Sequence, residues 1–453
     1  MHWFVEHIST FGDRQAIAHR KKIYTYQQLG AKIGDYYHLL RDQGVSKGEV
    51  AAIISDYSFA AIAMFLALLQ NKNVVIPIVI EDVEEINERL VEAQADKVIK
   101  IDGKSVKVSF QKSSSKHRLI ENIQQNQRSG LILFSSGSTG KPKVMIHDLD
   151  SLVDSYRDRK PRHLNMLIFL MFDHIGGLNT LLNTLGMGAL AVLPEGRDPE
   201  EICSLIEKHK VNVLPASPTF LNLILMNGAH ERYDLSSVRM ITYGTEAMPE
   251  GLLKRLREAF PKVKFLQTFG TSETGIAQTI SKASDSLFIK IDDPNLKYKI
   301  VDGELWLRSK TQVLGYLNAP MDSFTEDGWF MTGDLVETTE DGYIKIVGRS
   351  KEVINVGGLK VLPVEVESVL TTMPEIVDCI VYGQSNYITG QTAVADVVLR
   401  NPSLESQEMK KAIRQFALAR MERYKVPTKI NFVKEISFAG RFKKQRKKQN
   451  GDK

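Results

Sequence analysis

Short apolar runs alternate with helical patterns through the first 290 residues of the chain. Val50–Ile54 has the composition of a buried strand, and residues 59–69 form an apolar run long enough for a buried helix. Asp198 precedes Pro199 and two glutamates, which predicts the start of a helix. An N-cap acceptor, Pro at the first helical position and early acidic side chains all favour a helix N-terminus. Strands that alternate with helices predict βαβ units and mostly parallel sheets.

The same alternation continues to about residue 268 and then gives way to shorter elements. Predicted strands lie at 74–80, 189–193, 211–215, 238–243 and 263–268, and predicted helices at 198–209 and 249–260. Residues 297–348 favour short strands and glycine turns. The remainder favours a helix from Pro363, strands at 379–382 and 393–399, and a long helix at 406–423. Residues 113–115 and 124–127 predict a loose loop.

Length and composition bound the class of protein. With 453 residues the chain predicts two or three domains, and 43% hydrophobic with 25% charged residues is typical of soluble globular proteins. The apolar run at 59–69 is too short to cross a bilayer, and the N-terminal residues predict no signal peptide. Cys203 and Cys379 predict neither a disulfide framework nor a metal cluster, so we expect a reducing, cytoplasmic setting.

The net charge of +5 is concentrated at the C-terminus. Residues 441–453 hold seven Lys or Arg and one Asp, so the other residues together carry about −1. This distribution predicts a solvated basic tail and no nucleic-acid-binding face.

A loop made almost entirely of glycines, hydroxyls and lysines follows the apolar run at 131–133 and reads Phe-Ser-Ser-Gly-Ser-Thr-Gly-Lys-Pro-Lys over residues 134–143. Its backbone N–H groups, hydroxyls and lysines favour a polyanion such as a nucleoside triphosphate. A Walker A loop is excluded, because Pro142 stands where that motif needs a hydroxyl. The predicted nucleotide contacts here are Ser135, Ser136, Gly137, Ser138, Thr139, Gly140, Lys141 and Lys143.

This loop and four further segments, in the same order, resemble the adenylate-forming (AMP-binding) superfamily, and most closely its acyl-CoA synthetase or fatty-acid–CoA ligase branch. The resemblance extends from about residue 10 to the end of the chain. It implies an α/β fold with a large N-terminal domain (1–348) of βαβ subdomains and a small distorted β-barrel. A hinge (349–351) and a small, mobile α+β C-terminal domain with the basic tail (352–453) would follow.

Two of these segments imply contacts to the nucleotide and its metal ion. Residues 267–274 read Gln-Thr-Phe-Gly-Thr-Ser-Glu-Thr and resemble the family's aromatic-Gly-x-Thr-Glu segment. There Phe269 would pack on adenine, and the catalytic Glu273 would hold Mg²⁺ against the ATP phosphates. Residues 327–334 read Asp-Gly-Trp-Phe-Met-Thr-Gly-Asp, and Asp334 would accept both ribose hydroxyls. The other implied nucleotide contacts are Gly270, Thr271, Ser272 and Arg349.

The remaining segments imply the acid pocket, the hinge and the acceptor path. His174 and Gly177 would lie beside the acid, although a buried core histidine is an equally good interpretation and Asp173 is adjacent. Gly244 and Thr245 would form another wall of that pocket. Lys351 stands where the family pivots, and a thiol acceptor would pass Gly357, Gly358 and Lys360, because glycine allows close backbone approach.

The family's catalytic lysine has no unambiguous counterpart in this chain. Alignment by the glycine of its motif places Arg441 there, whereas the Lys-x-x-Arg spacing selects Lys443, with Lys444 second. We assign Lys443 together with Thr139 as catalytic. Arginine at that site would slow adenylation, because a planar guanidinium does not replace a compact ammonium.

The resemblance implies a two-step ligase that uses ATP, Mg²⁺ and coenzyme A. A carboxylic acid, fatty or otherwise hydrophobic, would be converted to an acyl-adenylate and then to a thioester. Alternatives are transfer to the phosphopantetheine of a separate acyl carrier protein or to an amine, and a non-catalytic homologue that binds nucleotide or acyl groups.

Overall fold

The computed structural model describes residues 1–103, 105–111, 115–135 and 142–436, together with the backbone of 438–439 and 443–444. Several predicted site residues (Ser136, Gly137, Ser138, Thr139, Gly140 and Lys141) lie outside the described residues, as does Arg441. Within the described part of the chain, no helix is both long and apolar enough to cross a membrane.

The elements of the N-terminal part alternate as predicted. Up to residue 193 they are α1 (Trp3–Ser9), β1 (Gln15–His19), β2 (Lys22–Thr25), α2 (Tyr26–Asp42), β3 (Val50–Ile54), α3 (Phe59–Gln70), β4 (Val74–Ile78), α4 (Val83–Glu92), β5 (Lys97–Asp102), β6 (Ser105–Phe110), α5 (Arg118–Gln125), β7 (Gly130–Phe134), β8 (Val144–Asp148), α6 (Leu149–Asp154), β9 (Asn165–Leu167), α7 (Ile175–Gly186) and β10 (Leu190–Leu193). They are followed by α8 (Pro199–His209), β11 (Val213–Ala216), α9 (Pro218–Asn227), α10 (Ala229–Arg232), β12 (Met240–Tyr243), α11 (Glu250–Ala259) and β13 (Lys264–Gln267).

The remaining elements are shorter. They are β14 (Phe269–Thr271), β15 (Gly275–Ala277), β16 (Thr279–Ser281), β17 (Ile289–Ile291), β18 (Leu296–Val301), β19 (Glu304–Ser309), β20 (Gly315–Tyr316), β21 (Phe330–Thr338), β22 (Ile344–Arg349), β23 (Ile354–Val356), β24 (Leu359–Val361), α12 (Pro363–Leu370), β25 (Ile376–Asn386), β26 (Gly390–Leu399), α13 (Gln407–Leu418), β27 (Lys429–Phe432), β28 (Phe438–Ala439) and β29 (Lys443–Lys444).

Two seven-stranded sheets form the N-terminal part. One has the order β13-β12-β11-β9-β10-β1-β2 and is parallel except for the β1–β2 pair. The other has the order β20-β8-β7-β4-β3-β5-β6, and its central pairs β7–β4, β4–β3 and β3–β5 are parallel. Helix α3 is buried over most of its length, as the apolar run predicted. The mostly parallel sheets are confirmed.

Two local predictions had opposite outcomes. The helix start at Asp198 is confirmed, since the Asp198 side chain accepts a hydrogen bond from the Glu201 N–H at the start of α8. The loop predicted around 124–127 is wrong at its first half, where Gln124 and Gln125 end α5. That helix buries Ile120 and Ile123, Leu119 is only partly buried beside them, and the other side chains are polar, so the apolar stripe is too narrow to be distinctive in the sequence.

A six-stranded sheet of order β16-β17-β22-β21-β19-β18 lies where the sequence predicted a small distorted barrel. Strands β16 and β18 are the two edge strands of this sheet and do not pair with each other. Strand β16 contacts β13 instead. Thr279 Oγ1 donates to the Gln267 carbonyl oxygen at 2.6 Å, and the Gln267 N–H donates to Ser281 Oγ at 3.1 Å. Strand β20 leaves this unit and pairs with β8.

The C-terminal part has its own apolar core around the sheet β24-β23-β26-β25, in which β27 also pairs with β26. Helix α12 begins at Pro363, as predicted. The predicted helix 406–423 is shorter, because α13 ends at Leu418 and a 3₁₀ turn follows at Arg423–Lys425. The Lys425 ammonium there pairs with Glu365 at 2.6 Å and with Glu422 at 3.0 Å, which ties the turn to α12.

Candidate active site

A cavity of about 120 Å³ lies between the N-terminal part and the C-terminal part of the chain. Its N-terminal wall consists of the segments after β12 and β13, the start of α9, and the facing ends of β21 and β22. Its other wall comes from α12 and the start of β25. Of the residues predicted from the sequence, this cavity brings together Gly244, Thr245, Phe269, Gly270, Asp334 and Arg349.

The turn after β12 brings backbone close to backbone. A Cβ at Gly244 would lie 2.6 Å from Thr268 Oγ1 and 2.8 Å from the Thr268 carbonyl oxygen, so only glycine fits. Thr245 follows with a φ of +71°, a strained conformation for a β-branched residue. Such strain persists only where the surrounding structure holds it, and it clusters at functional sites.

Phe269 and Gly270 begin β14 at the opposite side of the same turn. The Phe269 side chain is 8% exposed, packs in the core of the six-stranded sheet with Ile289 and Leu305, and also borders the cavity. A Cβ at Gly270 would lie 2.4 Å from the Gly275 carbonyl oxygen across the β14–β15 hairpin. The hairpin is therefore closed too tightly for any side chain at residue 270.

An ion pair closes the cavity on the side of the six-stranded sheet. Asp334 and Arg349 are directly opposite on β21 and β22, and Arg349 Nε donates to Asp334 Oδ1 at 3.0 Å. The Asp334 side chain is buried and that of Arg349 is 47% exposed. An oriented carboxylate at a cavity wall has the acceptor oxygens that the two hydroxyls of a ribose require.

The Glu273 turn joins β14 to β15 and is held by hydroxyls. The Thr274 N–H donates to Thr271 Oγ1 at 3.1 Å, and the Glu273 carbonyl oxygen accepts from the Val313 N–H at 2.7 Å. Tyr316 donates its hydroxyl to Glu273 Oε1 at 3.1 Å. Glu273, Thr271 and Ser272 do not border the cavity; they lie on the side of the strand β8.

Strands β7 and β8 form an antiparallel pair, in which Gly130–Phe134 lie opposite Val144–Asp148. The Ser135 N–H donates to the Lys143 carbonyl oxygen at 3.0 Å and closes the base of the loop. Asn318 bridges the β8 stem, since its Nδ2 donates to the Pro142 carbonyl oxygen at 3.0 Å and its Oδ1 accepts from the Val144 N–H at 2.9 Å.

Lys143 and Glu273 approach the same tyrosine from two sides. Lys143 Nζ lies 4.6 Å from the centroid of the Tyr316 ring, whose hydroxyl contacts Glu273. Burial and the Glu273 carboxylate raise the pKa of Tyr316 far above its usual range, so this phenol acts as a donor. Tyr316 thus contacts both the Lys143 ammonium and the Glu273 carboxylate.

A buried histidine supports the Glu273 turn from below. His147 on β8 is fully buried, and its ring lies against the backbone of Ser272 and Thr311. Burial lowers the pKa of His147 to about 4, so the imidazole is neutral at physiological pH.

His174 and Gly177 lie at the start of α7 and do not border the cavity. His174 is the N-cap, and its Nδ1 accepts from the Gly176 N–H at 3.0 Å. A Cβ at Gly177 would lie 2.3 Å from the Met171 carbonyl oxygen, so close packing alone explains why residue 177 is a glycine. The neighbouring Asp173 is buried, with Oδ2 3.7 Å from Arg89 NH1.

The other predicted site residues lie at the predicted hinge and beyond it. Lys351 is exposed in a 3₁₀ turn at Ser350–Glu352. Gly357 and Gly358 join β23 to β24 with φ values of +59° and +86°, the backbone of a two-residue hairpin turn that favours glycine. They and Lys360 are exposed and do not border the cavity. Lys443 and Lys444 form β29, which pairs with β28.

The comparison with protein families decides the family. The model of the AMP-binding enzyme family matches residues 4–317, and that of the AMP-binding enzyme C-terminal domain matches residues 365–443. The chain belongs to the AMP-binding enzyme family. This confirms the resemblance to the adenylate-forming superfamily drawn from the motifs.

The curated relatives of this AMP-binding enzyme are named as CoA ligases. A 4-coumarate–CoA ligase-like protein of Arabidopsis thaliana is 32% identical over 71% of this chain and 61% of its own length. An indoleacetate–CoA ligase of Aromatoleum aromaticum is 29% identical over 68% of this chain and 64% of its own length. The chain therefore spans less than two thirds of the length of these relatives.

Solved structures match this AMP-binding enzyme along nearly its whole length. The anthranilate CoA ligase AuaEII, in complex with anthranoyl-AMP, has a TM-score of 0.82, with 21% identity over 97% of this chain and 95% of that one. The o-succinylbenzoate CoA synthetase of Bacillus subtilis has a TM-score of 0.75, with 20% identity over 96% and 95%. These similarities confirm the predicted fold class, a large α/β N-terminal domain with a smaller C-terminal domain.

Sequence reasoning missed several residues that shape this site in the AMP-binding enzyme. Tyr316 and Asn318 follow β19 in a Gly-Tyr-Leu-Asn segment whose glycine and aromatic residue were the available signal. Arg255 was not predicted either; its NH2 atom donates to Asn222 Oδ1 at 2.8 Å and to the Val377 carbonyl oxygen at 3.3 Å across the cavity.

Proposed function

We propose that the chain is an AMP-forming acid–thiol ligase, which activates a carboxylic acid with ATP and transfers the acyl group to coenzyme A. The observation that carries this proposal is the cavity itself. Three segments far apart in sequence, Gly244–Thr245, Phe269–Gly270 and Asp334 with Arg349, converge on it. They supply close backbone, an aromatic edge and an oriented ion pair, a set that suits an adenosine.

Activation of the acid brings two anions together, so the site has to offset charge. In the first step a carboxylate oxygen attacks the α-phosphorus of ATP and pyrophosphate leaves. We propose that Lys141 and Lys143 bind the phosphates, and that Lys443 supplies a further ammonium from the C-terminal part. Arg349 would hold Asp334 in the orientation that binds the ribose.

The donor chemistry at Glu273 fits Mg²⁺. Magnesium in nucleotide sites is held by one or two carboxylates together with phosphate oxygens and waters. Among the described residues, no group of three or more His, Cys, Asp or Glu could hold a metal alone, which agrees with a metal that arrives with ATP. When bound, the ion would lower the negative charge on the phosphates, and Glu273 would fix its position.

We propose a hydrophobic acid as the substrate, with planar aromatic acids tested first. The relatives named above are ligases of 4-coumarate type and of indoleacetate, and the similar solved structure holds anthranoyl-AMP. Fatty acids remain the second class in the panel. We propose that the start of α7 places His174 and Gly177 near the bound acid.

The thioester step would use a different orientation of the C-terminal part. We propose that rotation about Lys351 withdraws Lys443 and brings the exposed Gly357–Gly358 turn towards the acyl-adenylate. The turn has no side chains at its tip, so a pantetheine thiol could pass close to the backbone. Residues 349–351 are the proposed boundary, and the cytoplasm is the proposed compartment.

The experiment is an acid-dependent exchange of labelled pyrophosphate into ATP, followed by product analysis. A panel of aromatic and fatty acids is tested with purified protein, and the product is then sought with coenzyme A, a carrier protein and an amine. Exchange with at least one acid and a CoA thioester supports the proposal. ATP binding without exchange for any acid identifies a non-catalytic homologue, and a carrier-bound or amide product corrects the acceptor.

A further inference from the structure

We propose that Tyr316 is a positioning residue that couples Lys143, the last residue of the glycine-, hydroxyl- and lysine-rich loop, to the carboxylate of Glu273. One face of its ring carries the Lys143 ammonium at 4.6 Å, and its hydroxyl donates to Glu273 Oε1 at 3.1 Å. This inference rests on the proposed function and deepens it. It explains how the Lys143 ammonium and the Glu273 carboxylate, which would hold the metal ion, are kept at fixed positions relative to each other.

The backbone around Tyr316 is fixed along the stem of the loop. The Leu314 N–H donates to the Ile146 carbonyl oxygen at 2.8 Å, and the Leu317 N–H donates to that of Val144 at 2.8 Å. Tyr316 itself is 4% exposed and stands opposite Met145 in the β20–β8 pair. The backbone of Tyr316 is therefore held on β8, the strand that begins directly after Lys143.

The arrangement also keeps two opposite charges apart. Within the described part of the chain, no ion pair joins Lys143 to Glu273; each contacts Tyr316 instead. A direct salt bridge would neutralise both groups and leave neither for a phosphate or a cation. The phenol takes one oxygen of Glu273 with a neutral donor, so the carboxylate keeps its charge and its second oxygen for a metal.

The two contacts of Tyr316 have separate consequences. Loss of the hydroxyl affects the orientation of Glu273 and hence the metal dependence of ATP binding. Loss of the ring also releases Lys143, which then pairs with Glu273 and withdraws from the phosphates. A ring that holds an ammonium at this distance contributes a modest but measurable attraction.

Two variants separate these consequences by titration calorimetry with ATP, in the presence of Mg²⁺ and in EDTA. Tyr316→Phe should raise the Mg²⁺ concentration for half-maximal binding roughly 2- to 10-fold, the range of one hydrogen bond, and leave the affinity in EDTA unchanged. Tyr316→Leu should also weaken binding in EDTA by a similar factor. Heat-unfolding midpoints establish that both variants are folded.

Tyr343 provides a matched control, since its ring also lies under an ammonium, Lys282 Nζ at 5.3 Å, on the outer turn between β21 and β22. Tyr343→Phe and Tyr343→Leu should leave both titrations unchanged. Wild-type metal dependence in Tyr316→Phe overturns the coupling while the proposed function stands. A wild-type protein that binds no ATP overturns the proposed function and this inference together.

Discussion

Gly177 gives the sharpest test of whether packing governs the start of α7. In Gly177→Ala the new Cβ would lie 2.3 Å from the Met171 carbonyl oxygen and 2.7 Å from that of Leu170. Both neighbours are backbone atoms, which cannot swing aside as the end of a side chain can. Overpacking of this kind costs about 1–3 kcal/mol, and the helix preference of Ala over Gly returns only about 0.5–1 kcal/mol. The net effect is destabilising by on the order of 1–2 kcal/mol.

Gly186 on the same helix is the matched control. A Cβ there would lie 3.5 Å from Phe4 Cε2 and 3.6 Å from Tyr156 Cβ, which are ordinary contact distances. Gly186→Ala should therefore gain helix preference at no packing cost and raise the stability slightly. The two substitutions are chemically identical, so the difference between them isolates the close approach to 170–171.

Differential scanning calorimetry of the ligand-free protein measures the difference. One kcal/mol corresponds to about 2–4 °C in the unfolding midpoint of a domain of 150–250 residues, and to less in a larger one. Gly177→Ala should melt a few degrees below wild type, and Gly186→Ala at or above it. Equal midpoints for the two variants would refute the packing argument and leave the predicted contact with the acid as the reason for a glycine at 177.

Four further perturbations follow from the structure. Asp334→Asn should weaken ATP binding roughly 10-fold or more in calorimetry, because hydrogen bonds to a charged acceptor are lost; unchanged affinity would remove Asp334 from the site. Thr245→Gly should raise the melting temperature, since relief of about 1–3 kcal/mol of backbone strain exceeds the entropy cost of glycine; a lower value would show that no strain is stored. His147 has a pKa of about 4 when folded and about 6.5 when unfolded. Between about pH 6.5 and pH 4 the unfolded chain therefore binds a proton that the folded protein does not. The free energy of unfolding decreases as the pH is lowered through this range, by up to about 1.4 kcal/mol per pH unit. His147→Gln should lose less stability than wild type between pH 7 and pH 5, and an equal loss would contradict the assignment. Arg255→Ala should speed hydrogen exchange of the amides at 363–378, because its bond to Val377 holds that segment; unchanged exchange would exclude this tie.

The fold was predictable where the signals are local. The Asp198–Pro199 cap defines the start of α8, and the apolar run at 59–69 becomes α3, because capping and burial act within one element. The helix α5 was missed because only Ile120 and Ile123 of its sequence are buried. A stripe of two residues does not distinguish a helix from a polar loop.

Six of the predicted site residues line the cavity, but the contacts that connect the candidate site residues were not predictable from the sequence. Motifs placed Glu273 and Lys143 in one function, but the tyrosine that joins them stands 43 residues beyond Glu273 and reaches it through the β20–β8 pair. Such a pairing depends on tertiary structure and leaves no periodic signal in the sequence. The same holds for Arg255, whose contact with Val377 spans two parts of the chain.

The positions of these residues along the chain separate what a domain rotation can change from what it leaves intact. Lys143, Glu273, Tyr316 and Asp334 all precede the proposed hinge at 349–351, and strand pairing fixes the first three around β8. A rotation there would leave the proposed phosphate and metal contacts in place. Arg349 lies at the end of β22, paired with Asp334 and next to the turn that would move. This ion pair is therefore adjacent to the proposed hinge, and we expect its strength to differ between the two proposed steps of the reaction.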